Sequence, residues 1–105
     1  MPAPPQVEQP AAVSVKPAPL WHVVLLDDDD HTYEYVIEML QALFYHDLEV
    51  AYRMACEVDA EGRVIVDTTT RERAELKRDQ IHGYGADPRL ERSKGSMSAV
   101  IEPAE

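Results

Sequence analysis

One hundred and five residues, 45 % of them apolar, suit one small domain with a single modest core and argue against global disorder. Twenty acidic residues against ten basic ones leave a net charge of −10, which argues against nucleic acid and favours cationic partners: ammonium groups, metal ions or basic protein faces. The single cysteine, Cys56, excludes an internal disulfide, and no apolar run approaches the length of a membrane span.

Residues 1–20 hold six of the eight prolines, a composition that cannot build a packed core, and they are expected to form a disordered, polyproline-leaning tail. Pro2, Pro4 and Pro5 stand where a signal peptide would carry basic residues and an apolar segment, so a cytoplasmic location is expected. The folded part, residues 21–105, begins with the apolar run Val23-Val24-Leu25-Leu26, read as a buried strand. That run stops at Asp27-Asp28-Asp29-Asp30. Four carboxylates cannot be buried together, because desolvation and mutual repulsion both oppose it. The loop must therefore face water, a cation or a positively charged ligand group.

Thr32 is a suitable N-cap for a helix from Tyr33 to about Phe44, with Val36, Ile37, Leu40, Leu43 and Phe44 on its buried stripe. Asp47 caps a second helix, Leu48 to about Val58, with Leu48, Ala51, Met54, Ala55 and Val58 inward. Gly62 marks a turn before a short strand, Arg63 to Asp67. Thr69 and Glu72 form a capping-box pattern that opens a third helix running to about His82, stopped by Gly83 and Gly85. Ala86 to Gly95 reads as a polar loop broken by Pro88, and Met97 to Glu102 as a last strand. The expected fold is α+β, in the order β-α-α-β-α-β, with a small three-stranded antiparallel sheet packed against three helices.

The aspartates and His31 carry the strongest chemical signal. A hard-cation site would use such oxygens, yet the spaced ligands, central glycine and distal glutamate of a calcium loop are missing. A solvated loop stabilised by the following helix dipole, and capture of an ammonium group at the rim of an apolar pocket, remain the other readings. No nucleophile–base pair, phosphate loop or paired Cys/His ligand set is recognisable, so no enzymatic activity, metal or cofactor is expected. Cys56, mid-helix among core positions, reads as a small buried hydrophobe.

Taken in order, WHVVLLDDD, EYVIEMLQALF, AYRMACEV, EGRVIV, TRERAELKRDQI and VIEPA resemble the ClpS family of Clp protease adaptors over about residues 20–104. The resemblance implies a non-enzymatic adaptor that binds the N-terminal residue of N-degron substrates and delivers them to a Clp AAA+ unfoldase. It also implies site roles. The family's Asn-Asp-Asp at the end of strand one falls on Asp27, Asp28 and Asp29, and its histidine after helix two falls on Asp59. These would hold the substrate's α-amino group, with Asp27 and Asp59 standing where the family has asparagine and histidine. His31, Tyr33, Val36, Ala55, Val58 and Met97 would line the side-chain pocket. Tyr33 and Ala55 stand where the family commonly has methionine, and His31 where it has threonine. Alanine at 55 removes a gate against β-branched side chains, so acceptance of Ile or Val beside the usual large residues is expected. Glu72 and Lys77 match positions that dock on the unfoldase, and residues 1–20 match the extension engaged during delivery. An acidic cation-binding protein, or a divergent adaptor with a dead pocket, are the alternatives.

Overall fold

Alternation and helical spacing produce six elements in the computed structural model, which describes residues 18–105. They are β1 (Leu20–Leu26), α1 (Tyr33–Phe44), α2 (Leu48–Glu61), β2 (Arg63–Thr70), α3 (Arg71–His82) and β3 (Ser98–Pro103). The expected order and the α+β class both hold. The proline-rich tail falls almost wholly outside the described residues, and Leu20 already belongs to β1.

β1 is the middle strand of the sheet, antiparallel to β2 on one side and β3 on the other. Central placement explains its continuous apolar run. Val23 and Leu25 face the helices, while Val24 points to the opposite face between Ile65 and Val100. Val23 and Leu25 join Val64 and Val66 from β2, Ala99 from β3, and Tyr35, Val36, Met39, Leu40, Ala51, Ala55, Val58, Ala74 and Ile81 from the helices. Fully burying side chains of this size stabilises by about 1.5–3 kcal/mol each for the larger ones.

Several boundaries differ from the sequence expectation. α2 runs three residues further, to Glu61, where Gly62 at φ +84° closes it in the left-handed region that glycine adopts without strain. β2 continues to Thr70: Val23 pairs with Asp67 and Val24 with Ile65, so Val66 is the extra, inward-facing residue of a bulge on β2, and pairing with β1 continues on to Thr70. The cap of α3 is consequently Thr70, whose side chain accepts from the Arg73 amide, and not Thr69. Gly83 ends α3 at φ −102°, so the left-handed glycine after that helix is Gly85, at φ +110°. Leu48 is exposed instead of buried, since the first turn of α2 overhangs the core, and Cys56 is half-buried.

Candidate functional site

The end of β1 and the end of α2 are tied together where the acidic loop begins. The Asp27 amide donates to the Gly62 carbonyl at 3.0 Å, which sets Asp27 beside the last turns of α2 and so beside Asp59. Asp28 turns inward on its own loop, its Oδ1 accepting from the Asp30 amide at 2.8 Å and its two oxygens lying 2.7 and 3.0 Å from His31 Nδ1. The other ring nitrogen of His31, Nε2, lies 2.7 Å from the Gly95 carbonyl. A carboxylate and a carbonyl thus grip the His31 ring at both ends and fix its orientation. Its side chain is only 3 % exposed and packs against the Tyr35 ring at 4.5 Å.

The loop after α3 secures the rest of the acidic segment. Arg92 donates to the Asp29 carbonyl through Nε at 2.9 Å and Nη2 at 2.6 Å, and its Nε lies 3.3 Å from the Asp30 carboxylate. Asp87, buried at 1 % exposure, accepts from the Thr32 amide at 2.7 Å, the Thr32 hydroxyl at 2.8 Å and the Arg89 amide at 3.0 Å. Burial alone would raise the Asp87 carboxyl, but these amide bonds, the Thr32 hydroxyl and the Arg89 guanidinium outweigh it and hold the group down at about 2. Arg89 reaches on to Glu38 on α1 at 2.6 Å.

The four aspartates therefore do different work. Asp28 is matched by His31 and Asp30 by Arg92, while Asp29 is held only through its backbone carbonyl, which accepts from Arg92. Among the described residues no ion pair engages Asp27 or Asp59. Burial, followed by the negative charges of Asp59, Asp28 and Asp29, raises the Asp27 carboxyl above the ordinary carboxylate value, and the Asp28 amide opposes them in part. Among the described residues no three His, Cys, Asp or Glu side chains are grouped to hold a metal ion.

Asp27, Asp28 and Asp59 stand around one small hollow with His31, Thr32, Tyr33, Val36, Ala55, Val58 and Met97. Ten residues from the strand end, two helices and the segment before β3 thus converge, including every side-chain pocket residue expected from the sequence. Asp29 does not line it. Val36, Ala55, Val58 and Met97 make the wall apolar and are themselves buried. The hollow measures only about 40 Å3, room for a water or two and less than the roughly 150 Å3 that accepts benzene. Tyr33 stands at its rim. From the first turn of α1 its hydroxyl donates to Asp59 Oδ2 on α2 at 2.7 Å, joining the two helices at this site. That bond, with burial and the charge of Asp59, pushes the Tyr33 hydroxyl up to about 12.

The two positions expected from the family resemblance to dock on the unfoldase differ in their surroundings. Glu72 is exposed beside an open groove of about 350 Å3 formed with Thr70, Arg73 and Leu76, on a part of α3 apart from the acidic hollow. Lys77 is 7 % exposed, donates to the Leu43 carbonyl and lies 5.4 Å from the Phe44 ring centroid. Its ammonium thus serves the Leu43 carbonyl at the end of α1, where the helix dipole favours a cation. What the sequence reading missed was the loop 86–95: Asp87, Arg92 and Gly95 hold the segment 29–32, and the Ser93 hydroxyl supports Asp87 by accepting from its amide at 2.8 Å. A signal was present, since Arg89, Arg92 and Lys94 put three of the chain's ten basic residues in that one loop.

A family described as "ATP-dependent Clp protease adaptor protein ClpS" matches residues 16–89. The ATP-dependent Clp protease adapter protein ClpS of Vibrio cholerae serotype O1 is 39 % identical over 74 residues, 70 % of each chain. The Edwardsiella ictaluri protein of the same description is 36 % identical over 83 residues, covering 79 % of this chain and 78 % of that one. Among solved structures, Agrobacterium tumefaciens ClpS2 bound to L-phenylalaninamide shares the fold at a TM-score of 0.71 and 24 % identity. The match covers 83 % of this chain and 99 % of that one.

Proposed function

The chain belongs to the ClpS family of adaptors of the ATP-dependent Clp protease, and from that membership we propose that it captures the free N-terminal residue of substrate chains and delivers them to a Clp AAA+ unfoldase. The observation that carries this reading is the pair of carboxylates, Asp27 and Asp59, at the rim of a hollow walled by Val36, Ala55, Val58 and Met97. Carboxylates without cationic partners seek a positive charge, and an apolar wall seeks an apolar side chain. An N-terminal Leu, Phe, Tyr or Trp presents both, a fixed distance apart. A charge-assisted bond contributes about 1.5–3 kcal/mol, and burial of a Leu-sized group about the same again.

His31, held at both nitrogens, occupies the Asp28 carboxylate and stiffens the rim, leaving Asp27 and Asp59 as the principal acceptors for the α-ammonium. Ala55 on the wall provides space near the first branching carbon of the ligand, which supports acceptance of Ile and Val beside the larger side chains. Glu72, exposed on α3, is the docking residue toward the unfoldase, and residues 1–20 act in delivery. The adaptor carries out no chemistry of its own.

Fluorescence-anisotropy titrations with peptides beginning in Leu, Phe, Tyr, Trp, Ile and Val test this, with L-phenylalaninamide as competitor and N-acetylated peptides as controls. Binding of the free forms and none of the acetylated ones is expected. Equal rejection of all six free peptides refutes the reading.

A further inference from the structure

We infer that the Tyr33 hydroxyl is an internal competitor for the ligand's α-ammonium: it holds Asp59 in the unliganded chain and must yield that carboxylate, swinging off the hollow, before an N-terminal residue can enter. The inference rests on the reading of the hollow as an N-terminal-residue pocket.

Three observations lead to it. Tyr33 and Asp59 come from different helices and meet at 2.7 Å at the very hollow whose ammonium acceptors are in question. The hollow, at about 40 Å3, is smaller than a leucine or phenylalanine side chain in the unliganded chain, so its rim must rearrange before a ligand enters, and Tyr33 is a rim residue. Tyr33 is 39 % exposed on the first turn of α1, where the cap is already supplied by Thr32, so its ring can move outward without unmaking the helix or the core. The packed residues of the wall offer no such freedom. Val36, Ala55, Val58 and Met97 are all fixed in the core.

The chemistry of the exchange is simple. A neutral phenol donates one hydrogen bond to Asp59; an ammonium donates up to three and brings a full charge. The ligand therefore wins Asp59, yet pays for the bond it breaks. Because that cost falls on the ammonium end, it is the same whichever side chain follows. Tyr33 thus sets a uniform threshold on affinity, while Ala55 and its neighbours discriminate among side chains.

Titration of the full-length chain, Tyr33→Phe and Asp59→Asn with the six free-N-terminus peptides tests the inference, with far-UV circular dichroism to establish that each variant is folded. Tyr33→Phe should tighten binding of every peptide that the parent binds, by about three- to tenfold, because only the competing hydrogen bond is gone. Asp59→Asn should weaken the same peptides by tenfold or more. These opposite signs on two partners of one bond would not arise if the pair merely braced α1 against α2. Unchanged or weaker binding by Tyr33→Phe, with the parent still binding, overturns the competition and leaves the pocket standing. A gain limited to the bulkiest side chains also overturns it, making Tyr33 a steric wall. If neither the parent nor Tyr33→Phe binds any of the six, the pocket reading fails and the competition falls with it.

Discussion

The amide and the hydroxyl of Thr32 both donate to one oxygen of Asp87, at 2.7 and 2.8 Å, although 55 residues separate the two. Thr32 also caps α1 through its side-chain oxygen, which accepts from the Tyr35 amide. One buried carboxylate therefore anchors the start of α1, the end of the acidic loop and the loop after α3. The geometry of the candidate site depends on this anchor, not on the aspartates alone.

Replacing Asp87 with alanine should lower stability by roughly 2–3 kcal/mol, because buried donors at Thr32 and Arg89 lose their acceptor. Chemical denaturation checks the value. Peptide affinity should fall as well, since His31 and the acidic loop lose their support from the same segment.

The acid limb of stability should carry the signature of the same group. The Asp87 carboxyl is held at about 2 in the fold, against about 3.9 in the unfolded chain. A depressed carboxyl contributes stability that is present above the unfolded value and lost as pH falls through the folded one. Melting temperature should therefore drop between about pH 4 and pH 2, and Asp87→Asn should remove most of that dependence from an already lowered start.

Asp27 has the opposite sign. Its carboxyl is raised by burial and by its acidic neighbours, so its charged form opposes folding at neutral pH, and any stability it contributes fades as pH rises through its folded value. Asp27→Asn is expected to raise the melting temperature of the unliganded chain only slightly, since solvent screens this exposed group, while weakening free-N-terminus peptides several-fold, since a neutral oxygen replaces a charge-assisted acceptor. Paired melting and anisotropy measurements detect this trade. Loss of binding should also follow as pH rises through the peptide amine's value of about 7.7–8.0.

Ala55→Met tests the wall. Its added volume should exclude Ile and Val peptides at least tenfold more than Leu peptides, at a packing cost of about 1–3 kcal/mol in the small hollow. Anisotropy across the six peptides reads the first effect and thermal melting the second.

Glu72 and Lys77 should part company. Glu72→Ala is expected to leave stability within about 0.5 kcal/mol and to impair adaptor-dependent degradation by the unfoldase. Lys77→Ala should destabilise the fold by about 1–3 kcal/mol, because the Leu43 carbonyl and the Phe44 ring lose their buried cation. Degradation assays set beside melting curves distinguish the two.

Much of this protein is written in short-range pattern. The apolar run Val23 to Leu26 specifies a strand, Thr32 and Asp47 specify helix starts, and the block of aspartates must lie where charge can be answered. These follow from neighbours within a few residues, because helical period, strand alternation and capping are local. The residues that the similarity of successive blocks to a known family singles out for a side-chain pocket line one hollow in the fold. Only the tertiary structure decided which carboxylates stay available. His31 engages the Asp28 carboxylate and Arg92 that of Asp30, Asp29 is turned off the hollow with its backbone carbonyl on Arg92, and Tyr33 reaches Asp59 across 26 positions. Lys77 likewise turned inward because the end of α1 lies beneath it. Pairings over such separations are set by how the helices cross the sheet, and no local periodicity encodes which polar groups will meet.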